Sequence, residues 1–190
     1  MIDALTILDP TEQAGSALAE LAARPANLTG CRLGILDNGK PNSDALLTQL
    51  ASRLARVGLR TQGQVRKPNI GRLAPPEMLD ILAARHDLVL TGVGDCAGCC
   101  SCTANDGIAL ERRGIPTLVV CTSEFLTAAR IAATAAGIPD YPFIVVEHPL
   151  GSLTPNQLGH RADSAMEQAS RLLGLSPLAP LTAARSGPTA

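Results

Sequence analysis

From residue 32 onward, short apolar runs alternate with longer stretches in which apolar residues recur every three or four positions. The short runs are strand signals and the longer stretches are helix signals. Residues 32–36 (Arg-Leu-Gly-Ile-Leu) form a buried-strand candidate, ended by the polar turn Asp37-Asn38-Gly39-Lys40-Pro41-Asn42. Leu46, Leu47, Leu50, Leu54 and Val57 share one face of a predicted helix that Gly58 closes. A weaker strand is predicted over 60–65. Pro75 and Pro76 open a second helix through Arg85, because a first helical turn tolerates proline. The strand predicted over 88–93 runs directly into Asp95-Cys96-Ala97-Gly98-Cys99-Cys100-Ser101-Cys102, and a helix follows to about Arg113, stopped by Gly114. Residues 116–121 make a fourth strand. Thr122 or Ser123 then stands as the cap of an Ala-rich helix ending near Ala136. A fifth strand over 141–146 and a last helix through Leu173, capped by Thr154 with Pro155 in its first position, complete the pattern.

This alternation predicts an α/β fold: a single-domain open parallel sheet, Rossmann-like or flavodoxin-like, with helices on both faces. The domain is expected to span 1–175. Its first 31 residues are less regular, with a helix candidate over 12–23. Residues 176–190, rich in Pro, Ala, Thr and Gly, are expected to be a disordered tail. Ligands of such sheets bind outside the carboxyl ends of the strands. Four polar clusters fall there: Asp37 to Lys40, Asp95 to Cys102, Thr122-Ser123-Glu124, and Glu147-His148.

Composition narrows the picture. Hydrophobic residues make up 46% of the chain but aromatics only 2%, so Leu, Ile, Val and Ala must build the core. A net charge of −1 argues against a nucleic-acid partner held by bulk electrostatics. No apolar run approaches the ~20 residues of a membrane span. The first residues carry no basic, then apolar, secretory leader, so a cytoplasmic, reducing location is the expectation. In that setting clustered cysteines read as catalytic or metal-binding rather than as a staple. No G-x-G-x-x-G follows a strand, so a nicotinamide or flavin is not indicated.

The chemistry is concentrated in the cysteines. Of six in the chain, Cys96, Cys99, Cys100 and Cys102 fall within one short stretch, three of them at C-x-x-C-x-x-C spacing. Cys96 lies where a strand gives way to a helix, and helix N-terminal N–H groups favour a thiolate, so it is the candidate nucleophile. Cys99, one turn on, is the natural resolving thiol. Cys102, a further turn on, is placed to pass a disulfide to an external reductant. Two alternatives stand beside this enzyme reading. Cys96, Cys99 and Cys102 could ligate zinc or part of an iron–sulfur cluster, although the fourth cysteine before proline of a ferredoxin run is missing. The protein could also be a redox or persulfide carrier with no small-molecule turnover. Cys31 reads as structural and Cys121 as a small buried hydrophobe near the site, while for Cys100 packing and a role in the chemistry stand equally.

Around the cysteines, Asp37, Asn38, Lys40 and Asn42 are candidates to hold an anionic small-molecule substrate. His148 is the candidate general acid or base. Asp95, Asn105, Thr122, Ser123 and Glu147 are further substrate-binding candidates. Asp106 suits either the site or a helix's first turn, and His86 and His160 read as surface residues.

The flanks of the cluster carry a resemblance. Ile7-Leu8-Asp9-Pro10-Thr11, Leu33 to Asn42, Leu110-Glu111-Arg112-Arg113-Gly114-Ile115-Pro116-Thr117 and His148-Pro149-Leu150-Gly151 look like landmarks of the UGSC family. In its selenoprotein members a selenocysteine opens the U-G-S-C motif; Cys96-Ala97-Gly98-Cys99 stands in its place here. More distantly, the spacing is similar to the U-x-x-C-x-x-C of the B-type subunits of glycine, betaine and D-proline reductases. There the first chalcogen is taken to attack carbon and a second thiol resolves the adduct. The resemblance thus implies reductase-like cleavage of a carbon–nitrogen, carbon–sulfur or carbon–halogen bond. No resident cofactor is expected, and a thioredoxin-like or low-molecular-weight thiol is the expected external reductant. A lyase or transferase using the same thiol also fits, as does a homodimer.

Overall fold

The computed structural model describes residues 20–175. Five parallel strands form one sheet in the order β2-β1-β3-β4-β5. They are β1 (Arg32–Asp37), β2 (Arg60–Arg66), β3 (Leu88–Gly94), β4 (Thr117–Thr122) and β5 (Phe143–Val146). Five α-helices connect and follow them: α1 (Ser43–Ala55), α2 (Pro76–Arg85), α3 (Ala97–Glu111), α4 (Leu126–Ala135) and α5 (Pro155–Leu172). The α/β open parallel sheet read from the alternation is the fold. The helix candidate over 12–23 lies outside the described residues except for 20–23, which are irregular, and the predicted tail lies outside them entirely.

Strand side chains alternate between two cores, as the pleat requires. Leu33, Ile35, Leu88, Leu90, Leu118, Val120, Ile144 and Val146 point to one face, where α1 and α5 cover them with Leu46, Leu47, Leu50, Leu54, Leu158, Ala162 and Ala165. The opposite face carries smaller clusters. Leu36 and Val89 meet Leu79 and Leu82 of α2. Cys100 and Ala104 of α3 meet Cys121 and Ala129, and Ile108 meets Val119, Ala133 and Tyr141. Gly107 lets α3 lie directly on β4, since a Cβ there would sit 2.2 Å from Val119 Cγ2. The central strands β3 and β4 are buried throughout, which is why they read as unbroken apolar runs.

The two edges differ. β2 is exposed along its whole length, and its register against β1 shifts between Leu33 and Ile35, opposite Gly63 at φ +85°. Such a bulge twists an edge away from further pairing. At the other edge the Gln168 amide of α5 accepts from Val145 N and donates to Val145 O, standing in for a neighbouring strand.

Helix ends follow the sequence signals in part. Thr154 and Gln157 form the capping box of α5, behind Pro155. The Ala-rich helix is different: Ser123–Phe125 is a 3-10 turn, α4 begins only at Leu126, and neither Thr122 nor Ser123 caps it. His86 is buried rather than superficial, its ring packed under Gly34, where a Cβ would be 2.8 Å from the imidazole.

Buried charge ties the N-terminal side of the described chain to the sheet. The Glu111 carboxylate, fully shielded, takes both arms of the Arg24 guanidinium at 2.8 Å and the N–H groups of Ala22 and Thr117. No helix among the described residues is long and apolar enough to cross a membrane.

Candidate functional site

In this strand order the chain leaves β1 toward β2 and later returns past it to β3, so β1 and β3 flank the point where the winding reverses. Asn38, 1% exposed just after β1, seals that seam. Its backbone N–H donates to Gly92 O, and its side-chain amide donates to Val93 O and Thr103 Oγ1. Its remaining oxygen accepts from Lys40 N. Asp37 is equally occupied, accepting from Gly39 N and from Arg66 Nε at 2.7 Å. Asn42, in the left-handed region at φ 65°, donates to Leu150 O and Leu153 O and so fastens the loop before α1 to the loop before α5. Of the four residues read as an anion cradle, three are committed to holding the strand ends together. Only the Lys40 ammonium has no ion-pair or hydrogen-bond partner among the described residues.

The cysteines sit at the next strand end. Gly94 pairs with Cys121 of β4, and a Cβ on it would lie 2.4 Å from Cys100 Sγ. Glycine there lets the first turn of α3 press against the sheet. Cys96 is the N-cap of α3, and its sulfur accepts from Cys99 N at 3.3 Å. Cys99 Sγ donates to Cys96 O at 3.3 Å and accepts from Asp95 N at 3.2 Å. Cys96 is half-buried, while Cys99 is 1% exposed. Burial pushes the Cys99 thiol up to about 12; its contact with Cys96 adds to this, and the Asp95 N–H opposes it. Cys100 is held far above the ordinary thiol range by its hydrogen bond with Cys121 and then by burial. Those two thiols pack together in the core, as the reading of Cys121 as a hydrophobe anticipates and as one of the two readings of Cys100 allows.

Asp95 and His148 meet beside Cys96. Asp95 is 8% exposed, and His148 Nδ1 lies 2.8 Å from its Oδ1. The two atoms are within bonding distance without hydrogen-bond angles, and neither has another partner among the described residues. His148 is placed from two further sides. Its backbone N–H donates to Ser123 Oγ at 3.4 Å, and its ring stands edge-on to Phe125 with centroids 5.5 Å apart. Thr122 Oγ1 donates to Gly94 O and braces β4 against β3 below the cysteine turn. Glu147 points away, pairing at 2.7 Å with Arg161 of α5, and Asn105 bonds back to Ser101 O of its own helix. The structure therefore gathers Cys96, Cys99, Asp95, His148 and Ser123, with Thr122 as support.

Sequence reading missed one partner. Lys67, immediately after β2, has a fully buried side chain whose ammonium pairs with Asp106 at 2.5 Å. Asp106 also accepts from Ala74 N. It is thus a buried counter-ion in the second half of α3, not a first-turn dipole partner. Phe125 was likewise not singled out; as one of two phenylalanines in the chain, just after a strand end, it was findable.

Among the described residues no three His, Cys, Asp or Glu side chains converge in a group that could hold a metal ion. Two cavities lie elsewhere. Pockets of about 260 and 470 Å³ flank β2 around Ile35, Gly63 and Gln64, and no cysteine lines them. Neither holds a reactive group convergent with the strand ends, so the chemistry, not the volume, marks the site.

No curated protein matches the chain. The model of the UGSC family matches residues 6–175, which includes every described strand and helix and the whole cysteine turn. That span places the chain in the UGSC family.

Proposed function

We propose that the protein is a thiol-dependent enzyme in which Cys96 attacks a small anionic substrate and Cys99 resolves the adduct. The observation that carries this reading is the N-cap geometry. Cys96 sulfur takes an N–H of the first turn of α3, which stabilises negative charge on it, and Cys99 sulfur is folded against the Cys96 backbone. Cys96 is reachable from solvent while Cys99 is shielded and stays a neutral thiol until a disulfide partner forms beside it.

The steps balance as a two-electron reduction. Cys96 thiolate displaces an amine, thiolate or halide from carbon, forming a thioether. Cys99, losing its proton, then attacks Cys96 sulfur, forming the Cys96–Cys99 disulfide and expelling the carbon as a carbanion that takes up a proton. A carbanion leaves only when stabilised, so the carbon should lie next to a ketone or aldehyde carbonyl. In this reading His148, 2.8 Å from Asp95, supplies protons to the leaving group or to this carbon. Lys40 supplies the cation that attracts the substrate's charge. An external dithiol then reduces the disulfide.

The test uses an α-halogenated keto acid as probe, with no reductant present. Given one equivalent of probe, wild-type protein should yield one equivalent of dehalogenated product and one disulfide that contains Cys99, whereas Cys99→Ser should accumulate a Cys96 adduct. A stable thioether on Cys96 in wild-type protein, or an unmodified Cys96, would overturn the reductive reading.

A further inference from the structure

The buried Lys67–Asp106 pair has no task in the chemistry above, and burying it is costly. Two charges removed from water are repaid only by excellent mutual geometry, and apolar replacements are often neutral or better. Its place in the fold suggests a use. Cys102 and Asp106 are four residues apart on α3, so they share a helix face, and Lys67 reaches that face from the end of β2. Cys102 is half-buried on the turn following Cys99. We propose that Lys67, held in position by Asp106, is the positioning residue that lets Cys102 serve as the exit thiol of the cysteine relay.

This rests on the reading of Cys96 and Cys99 as nucleophile and resolving thiol. Once the Cys96–Cys99 disulfide exists, Cys102 thiolate attacks Cys99 sulfur. The Cys99–Cys102 bond forms, the Cys96–Cys99 bond breaks, and Cys96 leaves as thiolate. The proton shed by Cys102 goes to solvent, no electrons are gained or lost overall, and Cys96 is freed for another substrate. An external dithiol then reduces Cys99–Cys102. Residues three apart on a helix have Cβ atoms about 5–6 Å apart, and a disulfide needs about 3.5–4.5 Å, so the first turns of α3 must yield by about 1–2 Å.

The charges facing Cys102 are Lys67 from the end of β2, and Asp106 and Cys96 from α3 and its cap. Burial pushes the Cys102 thiol up, Lys67 pulls it down, and Asp106 and Cys96 push it up more weakly than Lys67 opposes. Among the described residues that act on Cys102, Lys67 is thus the group that favours a thiolate there.

The experiment is alkylation of the reduced full chain across a pH series, with peptide mapping, for wild type, Lys67→Gln and the double variant Lys67→Met/Asp106→Leu. Lys67→Gln keeps a donor for Asp106 but removes the charge; the double variant removes both charges and leaves none unpaired. Both should slow Cys102 labelling at neutral pH by about threefold or more and move its midpoint upward. Oxidised wild type should give a Cys99–Cys102 disulfide that both variants lose in favour of Cys96–Cys99. An unchanged Cys102 midpoint in whichever variant folds would overturn the assignment, because a purely structural pair would not move it. Cys96 labelling in the same maps is the control. If Cys96 itself is unreactive, the nucleophile reading fails; if Cys96 behaves and Cys102 ignores Lys67, only the present inference fails.

Discussion

His148 Nδ1 lies 2.8 Å from Asp95 Oδ1, joining the end of β5 to the end of β3 beside the cysteine that caps α3. Asp95 is buried, and its Oδ1 has no better-aligned partner among the described residues. An unsatisfied buried carboxylate costs stability, and such costs persist where function requires them. Replacing Asp95 with Asn removes the charge at nearly constant volume. The Asp95→Asn protein should therefore melt no lower than wild type, yet turn over the α-halogenated keto acid about 100-fold more slowly, as expected for a lost general-acid arrangement. Calorimetry and product release measured together check both halves. A lower melting temperature with unaltered turnover would make the pair structural.

Among the described residues, Lys40 is the cation near the strand ends that has no partner. Exchanging it for Met should slow alkylation of Cys96 by iodoacetate while sparing iodoacetamide. The ratio of the two rates should fall about threefold at low salt, with the difference shrinking as salt is added. Equal effects on both reagents would point to altered access rather than to lost attraction.

The Cys99 thiol sets an alkaline limit. Its folded value is raised from 9.0 to about 12, so the fold favours the protonated form. The stability this contributes is complete below about pH 9 and is lost as pH rises toward 12, because the unfolded chain releases that proton first. Urea melts of wild type should lose roughly 1 kcal/mol per pH unit more than Cys99→Ala above pH 9. Parallel curves would show that Cys99 ionises as freely in the folded protein as in the unfolded one.

Glu111 holds the segment around Arg24 against α3 and β4. Arg24→Ala leaves a shielded carboxylate without its bidentate partner and should cost about 3 kcal/mol in chemical denaturation. Cys96 labelling in the folded protein should not change, since the pair lies at the far end of α3 from the cysteine turn. A cost below about 1 kcal/mol would mean that Ala22 N and Thr117 N satisfy Glu111 by themselves.

The strand and helix succession was legible because β3 and β4 are buried on both faces and read as apolar runs, with glycine and proline marking most boundaries. The cysteine turn was legible too, since the end of an apolar strand fixes where the next helix begins. Polar loops were less so. Asp37, Asn38 and Asn42 have the composition of a ligand cradle, but whether such groups face a ligand or bond back to the chain depends on contacts distant in sequence. Asn42, for instance, binds carbonyls more than 100 residues away. The Lys67–Asp106 pair joins residues 39 apart by no local pattern. The Ser123 cap failed because a 3-10 turn intervenes, which freed its hydroxyl to receive the His148 N–H.

The central claim is that Cys96 is the nucleophile and Cys99 its shielded partner. Brief alkylation of the reduced, folded protein near pH 7.5, followed by peptide mapping and a metal assay on the same sample, tests it most directly. The account predicts that Cys96 is labelled first, Cys102 more slowly, and Cys99, Cys100 and Cys121 only after unfolding. Labelling of Cys99 ahead of Cys96, or stoichiometric zinc or iron protecting Cys96, Cys99 and Cys102 together, would contradict it.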